Sequence, residues 1–215
     1  MALATLDPKT ALVLIDLQRG IVAPPAVPYT GTDVVARGKE LADAFRAHGL
    51  PVVLVNVAFS PDFADAPQGR DDETPGPGPD SAEGEGEGEG AGAGESDDEG
   101  FPADFAVIVD ELGAQDGDIR VTKHQWGAFH GTDLDTQLRR RGVTQIVLAG
   151  LVTSRGVDTT AREAYAHNYS VAFAVDAMAD RGIEVHENAV ERIFPQIGQR
   201  ATTAEVLETL AKTRA

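Results

Sequence analysis

The sequence contains no cysteine among its 215 residues. Disulfide bonds, thiolate metal sites and a thiol nucleophile are therefore excluded. Apolar residues make up 42% of the chain, but no apolar run approaches the roughly 20 residues that a membrane-spanning helix requires. The N-terminal segment also lacks the basic and apolar regions of a signal peptide. From these absences we expect a cytoplasmic protein that does not interact with membranes.

Positive charge is scarce, with 18 Lys and Arg residues against 35 Asp and Glu residues and a formal net charge of −17. The excess is concentrated between Arg70 and Gly100, where twelve acidic residues and one basic residue give a local charge of −11 and leave −6 elsewhere. The sequence offers no basic stripe that could neutralise phosphates. Nucleic acid is therefore not expected as a partner.

The acidic segment also differs from the rest of the chain in composition. At its centre, Glu and Gly alternate from Glu83 to Gly90, so there is no apolar side chain to bury. Such a segment, with mutually repelling charges, favours an expanded chain. We predict a single domain over residues 1–215 that is interrupted by a disordered acidic insert at about residues 67–100. A cation-binding role for this insert is not expected, because the segment lacks the fixed ligand geometry that such sites need.

Apolar runs alternate with helical patterns outside this insert. Strands are predicted at residues 11–17, 51–58, 118–123, 145–149 and 170–176. Helices are predicted from a cap at Thr32 or Asp33 to a glycine stop at His48–Gly49, and at residues 104–112, 133–141, 156–167, 184–193 and 203–212. A capping box of Thr132 and Asp135 is expected to begin the third of these helices. This alternation predicts a three-layer α-β-α fold around a mainly parallel, doubly wound sheet.

Three polar or glycine-rich features fall at the carboxyl ends of predicted strands, where ligands bind in open parallel sheets. They are Asp16, Lys123 and the turn Gly150–Gly156. A carboxylate within an apolar strand is costly unless it is paired or protonated, and Lys123 is an available partner. Taken alone, Asp16 could bond loop amides and Lys123 could be a surface lysine. Together with the turn they predict one site.

Motifs around these features, taken in order, resemble the isochorismatase-like hydrolase family, which also contains nicotinamidases and other cysteine amidohydrolases. The matching stretches are Val13–Gln18, Lys123 with Trp126–Asp133, Gly150–Ala161, and Asp176–Asp180. The resemblance covers nearly the whole chain except the acidic insert. It implies a hydrolase that acts on a small molecule, and it implies a homo-oligomer.

The resemblance also implies site residues. It places the catalytic Asp at Asp16, the catalytic Lys at Lys123 and the nucleophile position at Gly156. A cis peptide is implied between Leu151 and Val152, with the amides of Val152 and Gly156 as oxyanion-hole donors. Substrate contacts are implied for Gln18, Trp126, Val152, Thr153 and Arg155.

This chain departs from the cysteine members at the nucleophile position. Gly156 cannot attack a carbonyl, so the acyl-enzyme route is excluded. Thr153 and Ser154 precede that position, and we expect both to cap the following helix rather than to replace the thiol. Asn56–Ser60 stands where nicotinamidases carry Asp and His metal ligands, and the histidines share no ligand spacing. Neither a metal nor a cofactor is therefore expected.

Glycine at this position resembles the isochorismatases, which hydrolyse a vinyl ether without covalent catalysis. Asp16 would then protonate the enol-ether carbon, which requires a pKa raised by burial, whereas a charged Lys123 lowers that pKa. Lys123 could also orient the water or bind a substrate carboxylate. Arg155 could contact an anion, and Trp126 and Phe129 could either wall the pocket or pack in the core.

The missing nucleophile motivates a second hypothesis. The chain could be a catalytically inactive homologue that binds a small molecule or serves as an oligomeric interaction module. The position of Asp16 relative to Lys123 discriminates between the two hypotheses. An enzyme requires the two side chains to meet within hydrogen-bond reach beside Gly156 in a closed pocket.

Overall fold

The computed structural model describes residue 3 and residues 5–68 and 101–213. The predicted disorder of the acidic insert lies outside the described residues, apart from Pro67 and Gln68. Six strands form one all-parallel sheet in the order β3-β2-β1-β4-β5-β6. They are β1 (Thr10–Ile15), β2 (Val52–Val57), β3 (Ile119–Lys123), β4 (Gln145–Leu151), β5 (Ser170–Ala179) and β6 (Gln199–Ala201).

Helices flank this sheet. They are α1 (Arg19–Val22), α2 (Gly31–Ala47), α3 (Leu134–Arg140), α4 (Asp158–Ala166), α5 (Ile183–Asn188), α6 (Phe194–Ile197) and α7 (Thr203–Thr213). Single π-helical turns at Thr153–Val157 and Ala189–Ile193 precede α4 and α6. None of the helices in the described part of the chain is long and apolar enough to span a membrane.

The sheet has a hydrophobic core on each face, which confirms the predicted three layers. Alternate residues of β1 point to opposite faces, as the two-residue period of a strand requires. Leu12 and Leu14 pack with α2 and α7, whereas Val13 and Ile15 pack with α3, α4 and α6. Because β1 is covered on both faces, its sequence is an almost unbroken apolar run.

The strand order places a reversal point between β1 and β4. From β1 the chain proceeds outward to β2 and β3, and it then returns to β4 on the other side of β1. The connections that leave the carboxyl ends of β1 and β4 diverge in opposite directions and leave a crevice between them. Asp16 directly follows β1 and Gly150 lies near the end of β4, so both features meet at this crevice.

The start of α2 differs from the prediction by two residues. Thr30, rather than Thr32 or Asp33, is the N-cap, and it forms a capping box with Asp33. The Thr30 hydroxyl accepts the Asp33 N–H at 3.1 Å, and the Asp33 carboxylate accepts the Thr30 N–H at 3.0 Å. The predicted end is confirmed, since His48 is the C-cap and Gly49 follows in the left-handed conformation.

The helix predicted at residues 104–112 is wrong. Only Asp110–Leu112 forms a 3₁₀ turn. The preceding residues lie beside the chain that leaves β1, where Val107 O accepts the N–H of Arg19 at 2.9 Å and Phe105 O accepts that of Gly20 at 3.1 Å. These tertiary hydrogen bonds satisfy the backbone groups that a local helix would otherwise pair.

The capping box predicted from Thr132 and Asp135 is also wrong. The Thr132 hydroxyl donates to Ala128 O at 2.6 Å, and the Asp135 carboxylate binds Arg139 and the Tyr169 hydroxyl, both at 2.9 Å. The Thr132 hydroxyl also accepts the N–H of Leu134, the first residue of α3, at 3.2 Å, but the N-cap residue Asp133 makes no side-chain cap hydrogen bond.

Candidate active site

Asp16 and Lys123 form a buried ion pair at the carboxyl edge of the sheet. Lys123 ends β3 and reaches across β2, and its Nζ donates to Asp16 Oδ2 at 2.7 Å and to Gln125 O at 3.1 Å. Asp16 is 5% exposed and Lys123 is 2% exposed. The other carboxylate oxygen, Asp16 Oδ1, is buried without a hydrogen-bond partner in the described part of the chain. One acceptor position is therefore left for a group that enters the site.

Burial determines the acidity of this carboxyl group. Removal from water raises the pKa of Asp16 from 3.8 to about 6, and the charge and hydrogen bond of Lys123 act in the opposite direction. At pH 7 a pKa of this value leaves about one carboxyl group in ten protonated. Asp16 can therefore both donate and accept a proton near neutral pH.

The backbone of Asp16 is held in a left-handed conformation, with φ of 53°. This conformation is uncommon for a residue other than glycine. Ile15 pairs with Gly150 of β4, whose φ of 122° also favours glycine. A Cβ atom at Gly150 would lie 2.1 Å from Ile15 O. Gly150 therefore permits the close approach of β4 to the bend at Asp16, a role that the sequence analysis did not assign.

Gly156 lies directly beside the acid. The cis peptide predicted between Leu151 and Val152 is confirmed, and the π-helical turn Thr153–Val157 follows it. A Cβ atom at Gly156 would lie 3.1 Å from Asp16 Oδ2 and 2.9 Å from Ile15 Cγ2. A side chain at this position would therefore begin in contact with the carboxyl group.

A cavity of about 250 Å³ opens above these groups. Asp16, Lys123 and Gly156 line it, as do Val152 and Arg155 of the turn. Aromatic side chains form much of the remaining wall, namely Phe59, Phe101, Phe105 and Trp126. The Trp126 side chain is 58% exposed, and the guanidinium carbon of Arg155 lies 5.5 Å from the centroid of one of its rings. The structure thus brings six of the eight predicted site residues into contact with one cavity.

Gln18 does not line this cavity. Its buried amide donates to Val57 O and Phe105 O, both at 2.9 Å, and accepts the Val57 N–H at 2.7 Å. These hydrogen bonds fasten the end of β2 to the segment that carries Phe105. The prediction of a direct substrate contact is replaced by a role in holding the cavity wall.

Phe129 lies in the core, as the second of its two predicted roles requires. It is buried in the cluster with Tyr169, and its ring stacks on His167 with a centroid separation of 5.1 Å. The helix α4 fixes the loop around it, because Thr160 Oγ1 accepts the Ala128 N–H at 3.1 Å and Glu163 accepts the Phe129 N–H at 3.0 Å.

Thr153 and Ser154 do not cap α4 with their side chains. Thr153 is fully buried behind the cavity lining, and its hydroxyl lies 2.9 Å from Nδ1 of His186 on α5. The N–H of Ser154 donates to Oδ2 of Asp180 at 2.6 Å. The groups that hold this turn therefore come from α5 and from the connection that precedes it. Asp180 belongs to a recognised motif, but no local pattern predicted the contact made by His186.

Metal-binding side chains are sparse around the cavity. Within residues 3, 5–68 and 101–213, no three His, Cys, Asp or Glu side chains are grouped so that they could hold a metal ion. His124 Nδ1 lies 3.2 Å from Asp65 and 2.7 Å from Ala58 O, which is a pair of side chains and one backbone oxygen.

Comparison with known proteins identifies the family. Residues 10–205 match the isochorismatase family, described as "Isochorismatase domain". An uncharacterized isochorismatase family protein of Bacillus subtilis (strain 168), YwoC, is 48% identical over 200 residues, which are 93% of each chain. The structure of an isochorismatase family protein from Burkholderia thailandensis superposes with a TM-score of 0.83 and 44% identity, and the match covers 96% of this chain and 98% of that one.

A relative with a named reaction is more distant. The ureidoacrylate amidohydrolase RutB of Methylobacterium radiotolerans is 29% identical over 197 residues, which cover 87% of this chain and 74% of that protein. The family match, the shared fold and this hydrolytic relative agree with the geometry of the site. The chain therefore belongs to the isochorismatase-like hydrolase family and is a hydrolase that acts on a small molecule.

Proposed function

We propose that this hydrolase uses Asp16 and Lys123 in acid–base chemistry and forms no covalent thiol intermediate. The observation that carries the proposal is the 2.7 Å contact of the two side chains in a cavity that Gly156 also lines. A protein that only bound a ligand has no evident need for a buried acid–base pair. The geometry therefore favours an enzyme over an inactive homologue.

The reaction that fits these groups best is hydrolysis of a vinyl ether of the isochorismate type. The protonated Asp16 carboxyl transfers its proton to the terminal alkene carbon, and the ether carbon becomes an oxocarbenium ion. Water adds to that carbon and returns a proton to the Asp16 carboxylate. The resulting hemiketal then moves its hydroxyl proton to the ether oxygen and separates into an alcohol and a ketone. One water molecule is consumed, and Asp16 ends in its starting form.

Lys123 contributes in a second way once Asp16 is protonated. Its ammonium group then faces a neutral carboxyl group, so its charge becomes available to a substrate carboxylate or to the attacking water. We further propose that the amides of Val152 and Gly156 bind a substrate oxygen. Arg155, beside Trp126 at the cavity mouth, supplies a second contact for an anionic group.

The cavity limits the substrate to a small molecule. A volume of about 250 Å³ with aromatic walls suits a compact, partly unsaturated compound. An amide substrate is disfavoured because Gly156 supplies no nucleophile for the acyl-enzyme route. From the family resemblance we also propose a cytoplasmic homo-oligomer that needs neither metal nor cofactor and has no nucleic-acid partner. Light scattering during gel filtration measures the molar mass in solution and therefore tests for the oligomer.

A substrate panel tests the proposal. Isochorismate, related enol ethers and small amides are incubated with the wild type, with Asp16→Asn and with Asp116→Asn. Asp116 is exposed and precedes β3 at the opposite edge of the sheet, so it provides the same chemical change away from the site. We expect an enol ether to be hydrolysed, with a loss of about 100-fold or more in Asp16→Asn and no change in Asp116→Asn.

Three results would overturn this scheme in whole or in part. Hydrolysis of an amide by the wild type would contradict the claim that Gly156 excludes that substrate class. Equal turnover by wild type and Asp16→Asn would remove Asp16 from the mechanism. Tight binding of panel compounds without turnover would favour the inactive homologue.

A further inference from the structure

We propose that His186 is a positioning residue of the active site that acts through Thr153 on the turn carrying Val152 and Gly156. The proposal rests on the proposed function, because it assigns His186 a part in the same reaction. His186 is not among the residues that line the cavity. Its effect is carried by one buried hydrogen bond.

The turn has two sides with different tasks. Val152, Arg155 and Gly156 line the cavity. Thr153 lies behind them, with no exposed surface, and bonds to His186 at 2.9 Å. The next residue, Ser154, is held by Asp180 through its N–H at 2.6 Å. Two consecutive residues of the turn are therefore fixed by one group on α5 and one group on the connection between β5 and α5.

The position of the turn matters because the clearance on its cavity side is small. The position of a Cβ atom at Gly156 is only 2.9 Å from Ile15 Cγ2 and 3.1 Å from Asp16 Oδ2. Packing against Ile15 prevents the turn from moving toward β1, but it does not prevent movement away. The 2.9 Å hydrogen bond between His186 and Thr153 restrains the other side of the turn, because both lengthening and compression of the bond cost energy. It therefore keeps the backbone amides of the turn at a fixed distance from the acid.

The chemistry of histidine suits this task. His186 is 6% exposed, and burial lowers its pKa, whereas the charges of Asp180 and Glu187 act in the opposite direction. A neutral imidazole can exchange a hydrogen bond with a hydroxyl group without placing a permanent charge behind the turn. An arginine or lysine at this position would instead add a cation close to the groups that control Asp16.

The test compares variants that keep or remove the bond. His186→Asn keeps a polar amide near the position of Nδ1, whereas His186→Phe keeps a ring but removes both nitrogens. Thr153→Ser keeps the hydroxyl, and Thr153→Val removes it at similar volume. Glu184→Gln is the matched control, because Glu184 is exposed on the same helix and its charge is not among those that act on His186. The kinetic constants kcat and KM are measured on the substrate that the panel identifies, and Tm is measured by circular dichroism.

We expect His186→Phe and Thr153→Val each to lower kcat about tenfold, with KM changed less than about twofold, because misplaced catalytic groups slow the chemical step. His186→Asn and Thr153→Ser should retain kcat within about threefold. The double variant His186→Phe with Thr153→Val should be no slower than either single variant. Unchanged kcat in His186→Phe, equal losses in His186→Asn and His186→Phe, or additive losses in the double variant would each overturn the proposal.

Hydrogen exchange separates this proposal from the proposed function. Amides of the turn Thr153–Val157 should exchange faster in His186→Phe than in wild type or His186→Asn, under conditions where all three proteins are folded. If the wild type hydrolyses nothing in the panel, the proposed function fails and this comparison still decides the role of His186. If the wild type is active and exchange in His186→Phe equals that of the wild type, the positioning role is refuted.

Discussion

Raising the pH from 5.5 to 7.5 should lower kcat/KM about 25-fold, because Asp16 must hold the proton that it transfers. The pKa of about 6 for Asp16 sets this magnitude. The protonated fraction is about three-quarters at pH 5.5 and about 3% at pH 7.5. Above pH 7 the rate should fall about tenfold for each further pH unit. The value of kcat/KM is the relevant quantity, since it reports the ionisation of the free enzyme.

The assay follows initial rates of ketone formation from the enol ether that the panel identifies, with any coupling enzyme in excess at every pH. Asp116→Asn should reproduce the wild-type pH profile of kcat/KM. The pH profile of the residual activity of Asp16→Asn should lack the descending limb. A rate that rises as the pH passes through 6 would show that the carboxylate acts as a base or nucleophile. A flat profile from an active, folded protein would show that the ionisation of Asp16 does not limit the reaction.

Two substitutions test the environment of the acid. Lys123→Met should move the descending limb of the kcat/KM profile to higher pH, because the ammonium group lowers the pKa of Asp16. A move to lower pH would show that Lys123 does not lower this pKa. Gly150→Ala should reduce the free energy of unfolding in urea by about 3 kcal/mol or more, since a Cβ atom would collide with Ile15 O in a left-handed conformation. Gly117→Ala is its control, because a Cβ atom there meets nothing within 4 Å. Similar losses in the two glycine variants would refute this account.

The convergence of Asp16 and Lys123 could be predicted because it follows from the topology. An apolar run identified β1, residues 118–123 were identified as a short strand, and the carboxyl ends of parallel strands share one edge of the sheet. The two residues are 107 positions apart in the chain, yet their places at strand ends were enough to bring them together. The motifs around Gly156 supplied the third member of the site.

The contacts of single polar side chains could not be predicted in the same way. Gln18 stands within a recognised motif, but its amide is consumed by Val57 and Phe105, which reach it only in the folded chain. Thr153 has the residue type of a helix cap, yet docking of α5 gives its hydroxyl to His186. Such partners come from segments that are distant in the chain. Local residue patterns do not indicate which of these segments will pack beside a given side chain.

The crowding around Gly156 has a consequence for any side chain placed there. Ile15 Cγ2 and Asp16 Oδ2 lie 2.9 and 3.1 Å from the position that the first atom of such a side chain would take. A single change of this glycine to cysteine would force neighbouring atoms to shift by a few tenths of an ångström, and the atoms that shift include the carboxyl group itself. A cysteine introduced at this position alone would therefore disturb the acid whose ionisation the proposed reaction requires, in addition to supplying a thiol.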